Sequence, residues 1–268
     1  TWSADYDRHP QIDLALKAGF VNVPNTPTRS LLRTSDEPKS WGAQQVVVFF
    51  EGDGAPWTGF GTVPPRDPTP RQSVALDLAL STARKSQFHV IYVARPCQFD
   101  PRAVPPTCNE IQWTEKRYSK EQLKLLLSST ETALKLISPD MVKTPPLALV
   151  GHSGGGLMSI RAAAAFIRKG YRIHQVTTLA SPIDPIRWSH NHRFSPLDLD
   201  SYYEDLDLVR ASGLTKHYLG ENDKLVTIDD VNIHNEFEAV PGVGHATGWL
   251  AYWQKTLLKR LIARNINE

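Results

Sequence analysis

The sequence predicts an α/β fold, a mostly parallel central sheet covered by helices on both faces, and three observations predict it. Runs of apolar and β-branched residues at Gln45–Phe50, Phe88–Val93 and 147–150 are too short for helices and too continuous for half-exposed strands, so they read as strands buried on both faces. Between them lie stretches with apolar residues at helical spacing, most clearly 119–137, where Leu123, Leu126, Leu127, Ala133, Leu134 and Ile137 share one face. Strands and helices then keep alternating to the end of the chain, the rhythm of parallel strands joined by crossover helices.

Taken in order, residues 1–18 show no strand, and Ile12, Leu14, Ala15 and Leu16 fit a short helix packed on the body. The segments 19–23 and 28–33 read as short strands separated by Pro24 and Pro27. Gln45–Phe50 is expected at the centre of the sheet and ends in Glu51-Gly52-Asp53-Gly54. Loops at strand carboxyl ends are where open α/β sheets place their ligands. After a proline-rich loop over 63–70 comes a helix over 73–85, then the strand Phe88–Val93. Ser119 and Gln122 form the pattern of a capping box for the helix that follows. A strand is predicted at Ile173–Leu179. Residues 181–203, rich in aromatics and histidine, break the rhythm and are expected to fold over the site as a small cap. A short helix over 204–209, strands over 216–219 and 236–240, and a helix over 249–262 complete an expected single domain over 1–268.

Composition narrows the function. The 268 residues are 41% hydrophobic and 22% charged, enough for one substantial core. A formal net charge of +2, with no Lys and Arg run interleaved with aromatics, argues against nucleic acid as a partner. No apolar run approaches a membrane span and no signal peptide opens the chain, which reads from Thr1 as a mature or trimmed form. Cys97 and Cys108 lie close together in a proline-rich stretch. No Cys or His at ligand spacing accompanies them, so a disulfide fits better than a metal site, with two unrelated thiols as the alternative.

The chemistry centres on Gly151-His152-Ser153-Gly154-Gly155, a G-x-S-x-G pattern between a predicted strand and an Ala-rich helix. In that context the pattern forms a nucleophile elbow with the serine at its apex; the alternative is a glycine loop whose serine only caps the helix. A serine hydroxyl needs an adjacent base, and an imidazole base needs a carboxylate to hold its tautomer. Loops after two late strands offer both, Asp223 following Gly220 and His245 following Gly244. The competing reading of Asp223 is a turn aspartate, with Asp184 as the substitute acid. His89 lies within a strand, His152 flanks the nucleophile, and His190 and His192 form an H-x-H pair without a third ligand, so no metal or cofactor is expected. The oxyanion donors expected are the amides of Gly154 and Asp53, with Gly54 the near alternative to Asp53. Trp57 and Trp188 are candidates for lining a substrate pocket.

The succession of strand, elbow, acid loop and histidine loop resembles the α/β-hydrolase superfamily over nearly the whole chain. More narrowly, Glu51-Gly52-Asp53-Gly54, Asp67-Pro68-Thr69-Pro70, Ala94-Arg95-Pro96-Cys97-Gln98 with a second cysteine soon after, and Trp188 with Ser195-Pro196-Leu197 resemble a little-characterised group of bacterial exported hydrolases and lipoproteins. The resemblance implies the α/β-hydrolase fold and a serine hydrolase of the esterase or lipase kind, acting on a small-molecule ester or lipid through an acyl-enzyme. Ser153 would be the nucleophile, His245 the base and Asp223 its orienting acid. A paired Cys97 and Cys108 is implied too, with an extracytoplasmic location, whether periplasmic, secreted or lipid-anchored at the envelope. An acyltransferase or thioesterase with the same triad, or a non-catalytic binding protein on the same fold, are the alternatives. The superfamily often has histidine before the oxyanion-loop glycine, where this chain has Glu51. An unpaired carboxylate there would oppose a developing oxyanion, so a cationic partner is expected, and Arg95 at the end of the neighbouring strand is the candidate.

Overall fold

Eight strands form one sheet in the order β1-β2-β4-β3-β5-β6-β7-β8 in the computed structural model, which describes residues 9–36, 45–55, 63–100, 108–231 and 237–264. They are β1 (Val21–Asn22), β2 (Ser30–Arg33), β3 (Gln45–Phe50), β4 (Phe88–Val93), β5 (Leu147–His152), β6 (Ile173–Leu179), β7 (Thr215–Gly220) and β8 (Phe237–Val240). β1 and β2 join antiparallel, and every pairing from β4 to β8 is parallel. The three continuous apolar runs are β3, β4 and β5, all buried along their full length near the middle of the sheet.

Period-two alternation divides these strands between two cores. Val47, Phe49, Val90 and Tyr92 face one side, where α1 (Pro10–Lys17), α2 (Val74–Ala83) and the carboxyl-terminal helices pack. Val46, Val48, Phe50, Ile91 and Val93 face the other, covered by α4 (Lys120–Ile137) and α5 (Gly154–Lys169). Each fully buried aliphatic or aromatic side chain contributes roughly 1.5–3 kcal/mol, which is why strands carrying one on every residue occupy the centre. Ser73 caps α2 by accepting from the Leu76 amide at 2.9 Å. Ser119 caps α4 through the Gln122 amide at 3.4 Å, the serine half of the predicted box.

Three helices depart from expectation. A one-turn α3 (Glu110–Trp113) precedes α4 in a stretch without helical periodicity. The 181–203 segment holds α6 (Pro185–His192), started by Pro185 and capped by Asp184, and an irregular run to α7 (Tyr202–Ala211). The predicted closing helix is α8 (Trp249–Tyr252) and α9 (Leu258–Arg264) separated by a π turn at Trp253–Leu257. A stripe at every fourth residue creeps about 40° round an α-helix per step, and the wider turn removes that creep, letting Trp249, Trp253, Leu257 and Leu261 enter one core.

Cys97 and Cys108 are joined in a disulfide, Cα atoms 6.0 Å apart, packed on Trp113. Closing a loop with a sequence separation of 11 removes unfolded-state entropy; loops of this size contribute about 3 kcal/mol. Reduction is therefore expected to lower the melting temperature by about 5–10 °C. Thermal unfolding with and without reductant, and of Cys97→Ser/Cys108→Ser, checks this; an unchanged melting temperature would count against it. Among the described residues no helix is long and apolar enough to cross a membrane.

Candidate active site

Ser153 stands at the junction of β5 and α5 with φ 53° and ψ −128°, a backbone region that costs a non-glycine residue about 1–3 kcal/mol. Bonds on both sides hold it there, the Ser153 amide to the Leu179 carbonyl at 2.8 Å and the Gly156 amide to the Ser153 carbonyl at 3.0 Å. The flanking glycines are required by contact. A Cβ on Gly151 would lie 2.1 Å from the Gly155 carbonyl oxygen, and one on Gly155 would lie 2.4 Å from that of Phe50. Backbone cannot yield at such distances, so β5, the turn and α5 close up only around glycine.

The loops after β7 and β8 bring two more side chains to the apex. His245 Nε2 lies 3.0 Å from Ser153 Oγ, and His245 Nδ1 lies 2.8 Å from Asp223 Oδ2. Asp223 is also a turn aspartate, its Oδ1 accepting from the Leu225 and Val226 amides at 2.8 and 3.0 Å. The two readings of this residue thus coincide, one oxygen building the turn and the other aimed at the imidazole. Burial acts to raise its pKa, but the bond and charge of His245 and the two amides outweigh it, leaving the carboxyl below its ordinary range and ionised. Asp184 is committed elsewhere, capping α6 and accepting from the Tyr203 hydroxyl at 2.8 Å. His192 pairs with Asp230 at 3.0 Å.

His152, set aside in the sequence as a mere neighbour of Ser153, reaches the same loop. Its Nε2 lies 2.6 Å from the His245 carbonyl oxygen, which also accepts from Trp249 Nε1 at 3.0 Å. A carbonyl can only accept, so Nε2 carries the proton. Burial and the neighbouring His245 push the His152 pKa down to about 4, keeping the ring neutral near pH 7. Two donors on one carbonyl fix where the His245 backbone sits. His152→Phe is expected to lower the kcat of any reaction run through Ser153 about ten- to a hundredfold with a smaller change in KM, while His152→Gln, whose amide can donate similarly, recovers part of it. Steady-state kinetics beside melting temperatures check this; equal rates for His152→Phe and wild type would remove the role.

The loop after β3 corrects the expected Glu51–Arg95 pair. The Glu51 carboxylate accepts from the Tyr92 hydroxyl at 2.6 Å, from the Ser73 hydroxyl and from its neighbour's Gly52 amide at 2.9 Å. Burial raises its pKa, against the pull of these donors. Arg95 instead bonds Asp53, Nη1 to Oδ1 at 3.0 Å, while Nη2 donates to the Arg117 carbonyl. Strand alternation supplies the reason. Glu51 continues the Val47 and Phe49 side of β3 and meets Tyr92, whereas Arg95 continues the Ile91 and Val93 side of β4 and meets Tyr118. The two side chains leave adjacent strands on opposite faces.

Asp53 is therefore the clamped residue. Besides Arg95 it takes the Tyr118 hydroxyl, and Arg117 Nε lies 3.0 Å from its Oδ2, close enough for an ion pair but not aligned for a hydrogen bond. Arg161, buried on α5, bonds the Tyr118 carbonyl and Asp205, so the helix behind the nucleophile also anchors the segment gripping the loop. A Cβ on Gly154 would strike Asp53 Oδ1, which places the clamp directly against the residue after Ser153. The amides of Asp53, Gly54 and Gly154 donate to no acceptor among the described residues. Above Ser153 opens a cleft of about 420 Å³ whose walls include Trp188, Phe194 and Leu225 from one side and Pro70 and Val74 from the other. Trp188 is fixed by Nε1 donating to the Leu225 carbonyl at 2.8 Å. Trp57, the other pocket candidate, lies outside the described residues.

No protein-family model matches the chain, and no curated protein matches it. Solved structures do. A hormone-sensitive lipase from a metagenome library superposes with a TM-score of 0.54 at 12% identity, covering 98% of this chain and 94% of that one. Est1E from Butyrivibrio proteoclasticus gives 0.52 at 12% identity over 93% of this chain and 98% of its own. A serine hydrolase without lid from Xanthomonas campestris gives 0.50 at 14% identity over 91% and 92%. Likeness at such identities is one of architecture, and with the strand order and the β5-turn-α5 elbow it establishes that this chain has the α/β-hydrolase fold.

Proposed function

We propose that this protein is a serine hydrolase that cleaves carboxylic esters through an acyl-enzyme intermediate. The hydrogen-bonded line from Asp223 through His245 to Ser153, at 2.8 and 3.0 Å, carries the reading. Ser153 Oγ attacks the ester carbonyl carbon while His245 Nε2 takes its proton, and the carbonyl electrons move onto oxygen. The amides of Gly154 and Asp53, which have no acceptor among the described residues, stabilise that oxyanion. Collapse breaks the ester C–O bond, His245 returns the proton to the departing alcohol, and water repeats the sequence to release the acid. Asp223 keeps Nδ1 protonated and supports the imidazolium as it forms. The disulfide supports a location outside the cytoplasm.

A fluorophosphonate probe tests this directly, since it forms a stable bond only with an activated serine. Labelling of the peptide carrying Ser153, lost in Ser153→Ala, is the expected result. A folded wild-type protein that resists the probe would favour the non-catalytic reading of the fold.

A further inference from the structure

The cleft above Ser153 holds a positive charge that ester hydrolysis does not use. Arg117, from the turn between α3 and α4, lines the cleft with Trp188 and Phe194 although its side chain is only 5% exposed. A guanidinium so deeply buried is costly unless its charge and its donors are met. Its Nη1 donates to the Thr114 carbonyl at 2.8 Å and its Nε faces Asp53, but Nη2 donates no hydrogen bond among the described residues. Asp53 is shared, because Arg95 holds one of its oxygens and Tyr118 the other. Glu51, the second carboxylate at the cleft, spends its oxygens on Ser73, Tyr92 and Gly52 and bonds neither arginine. Two guanidinium groups therefore share one carboxylate beside the candidate nucleophile.

We propose that the cleft selects esters bearing a small anionic group, a carboxylate in the first instance, which Arg117 receives. This rests on the hydrolase reading of Ser153. A carboxylate supplies an acceptor for Nη2 and a second negative charge beside the one that Arg117 shares with Arg95. The guanidinium is already fixed for the task, its carbon 5.0 Å from the Tyr118 ring centre and 6.0 Å from that of Trp188, so binding need not freeze a mobile side chain. Apolar walls at Trp188, Phe194 and Leu225 lower the dielectric beside the charge. Arg95 provides a built-in control, since it grips the same Asp53 but does not line the cleft with Ser153.

Matched ester pairs test the proposal on the whole protein, followed by proton release. Monoethyl glutarate against diethyl glutarate places the charge on the acyl side, and para-acetoxybenzoate against its methyl ester places it on the alcohol side. In at least one pair kcat/KM for the charged member should exceed that of the neutral one by about ten- to a hundredfold, the span of a charge-assisted bond. Arg117→Gln should abolish that ratio and Arg117→Lys retain part of it, whereas Arg95→Lys should change both members alike. Neutral members favoured in both pairs would overturn the proposal, as would a ratio that survives Arg117→Gln. The wild-type ratio alone decides should Arg117→Gln fail to fold. Failure of every ester together with failure of fluorophosphonate labelling would instead overturn the hydrolase reading, and this proposal with it.

Discussion

Ser153→Ala and His245→Ala are each expected to lower ester hydrolysis by about four to six orders of magnitude, and the double variant to lose little beyond either. The reason is in the geometry. Among the described residues the Ser153 hydroxyl bonds one base, His245 Nε2 at 3.0 Å, and without it the oxygen must attack as a neutral alcohol. Once the oxygen is gone the imidazole has no proton to accept, so the second substitution removes a function already lost. Asp223→Asn should cost about four orders of magnitude, because an amide can meet Nδ1 with its own N–H and turn the wrong imidazole nitrogen toward Ser153. The Leu225 and Val226 amides still need an acceptor in that variant, so its oxygen stays in the turn and the N–H is what faces His245. Rates should be read beside far-ultraviolet circular dichroism and melting temperatures, since none of these three side chains sits in either apolar core. Multiplicative losses in the double variant would mean that Ser153 and His245 act separately, and would sink the shared mechanism.

Much of this site could be read in the sequence, because the residues concerned answer to strictly local rules. Glycine at positions 151 and 155 marks a strand and helix in backbone contact, and buried parallel strands must end with their loops on one edge, which brings Asp223 and His245 to Ser153. The partner of Arg95 was not readable from which strands are neighbours, since Glu51 and Asp53 both lie just past the end of β3. Extending the alternation of β3 one residue to Glu51 and that of β4 two residues to Arg95 separates the two side chains onto opposite faces. Arg117 and Tyr118 gave no such signal. They sit in an irregular turn whose position depends on Arg161 reaching from α5, a contact between residues 43 apart in sequence. The role of His152 was likewise hidden, because its partner is a backbone carbonyl and leaves no trace in residue type.

Asp53→Ala is expected to destabilise the fold by about 3–5 kcal/mol and to depress kcat at the same time. The Asp53 side chain is 11% exposed, and it faces Arg95 and Arg117 side chains each 5% exposed, so its removal leaves two buried cations without their shared carboxylate. Nothing nearby can replace it. Glu51 is on the opposite face with its oxygens bonded, and the Arg95 Nη2 and Arg117 Nη1 bonds go to neutral carbonyls. The same substitution frees the loop whose Asp53 amide is assigned to the oxyanion, and one misplaced oxyanion donor costs about two to three orders of magnitude in kcat. Stability and rate can be separated through the charges. Asp53→Ala/Arg95→Met removes one stranded cation and should regain part of the lost stability, as coupled neighbours do, without regaining the rate, because the loop is still unclamped. Denaturant titrations and ester kinetics on the single and double variants measure the two quantities independently. A melting temperature unchanged in Asp53→Ala would show that the two arginines do not depend on this carboxylate, and the clamp would then have to be abandoned as the device that positions the oxyanion loop.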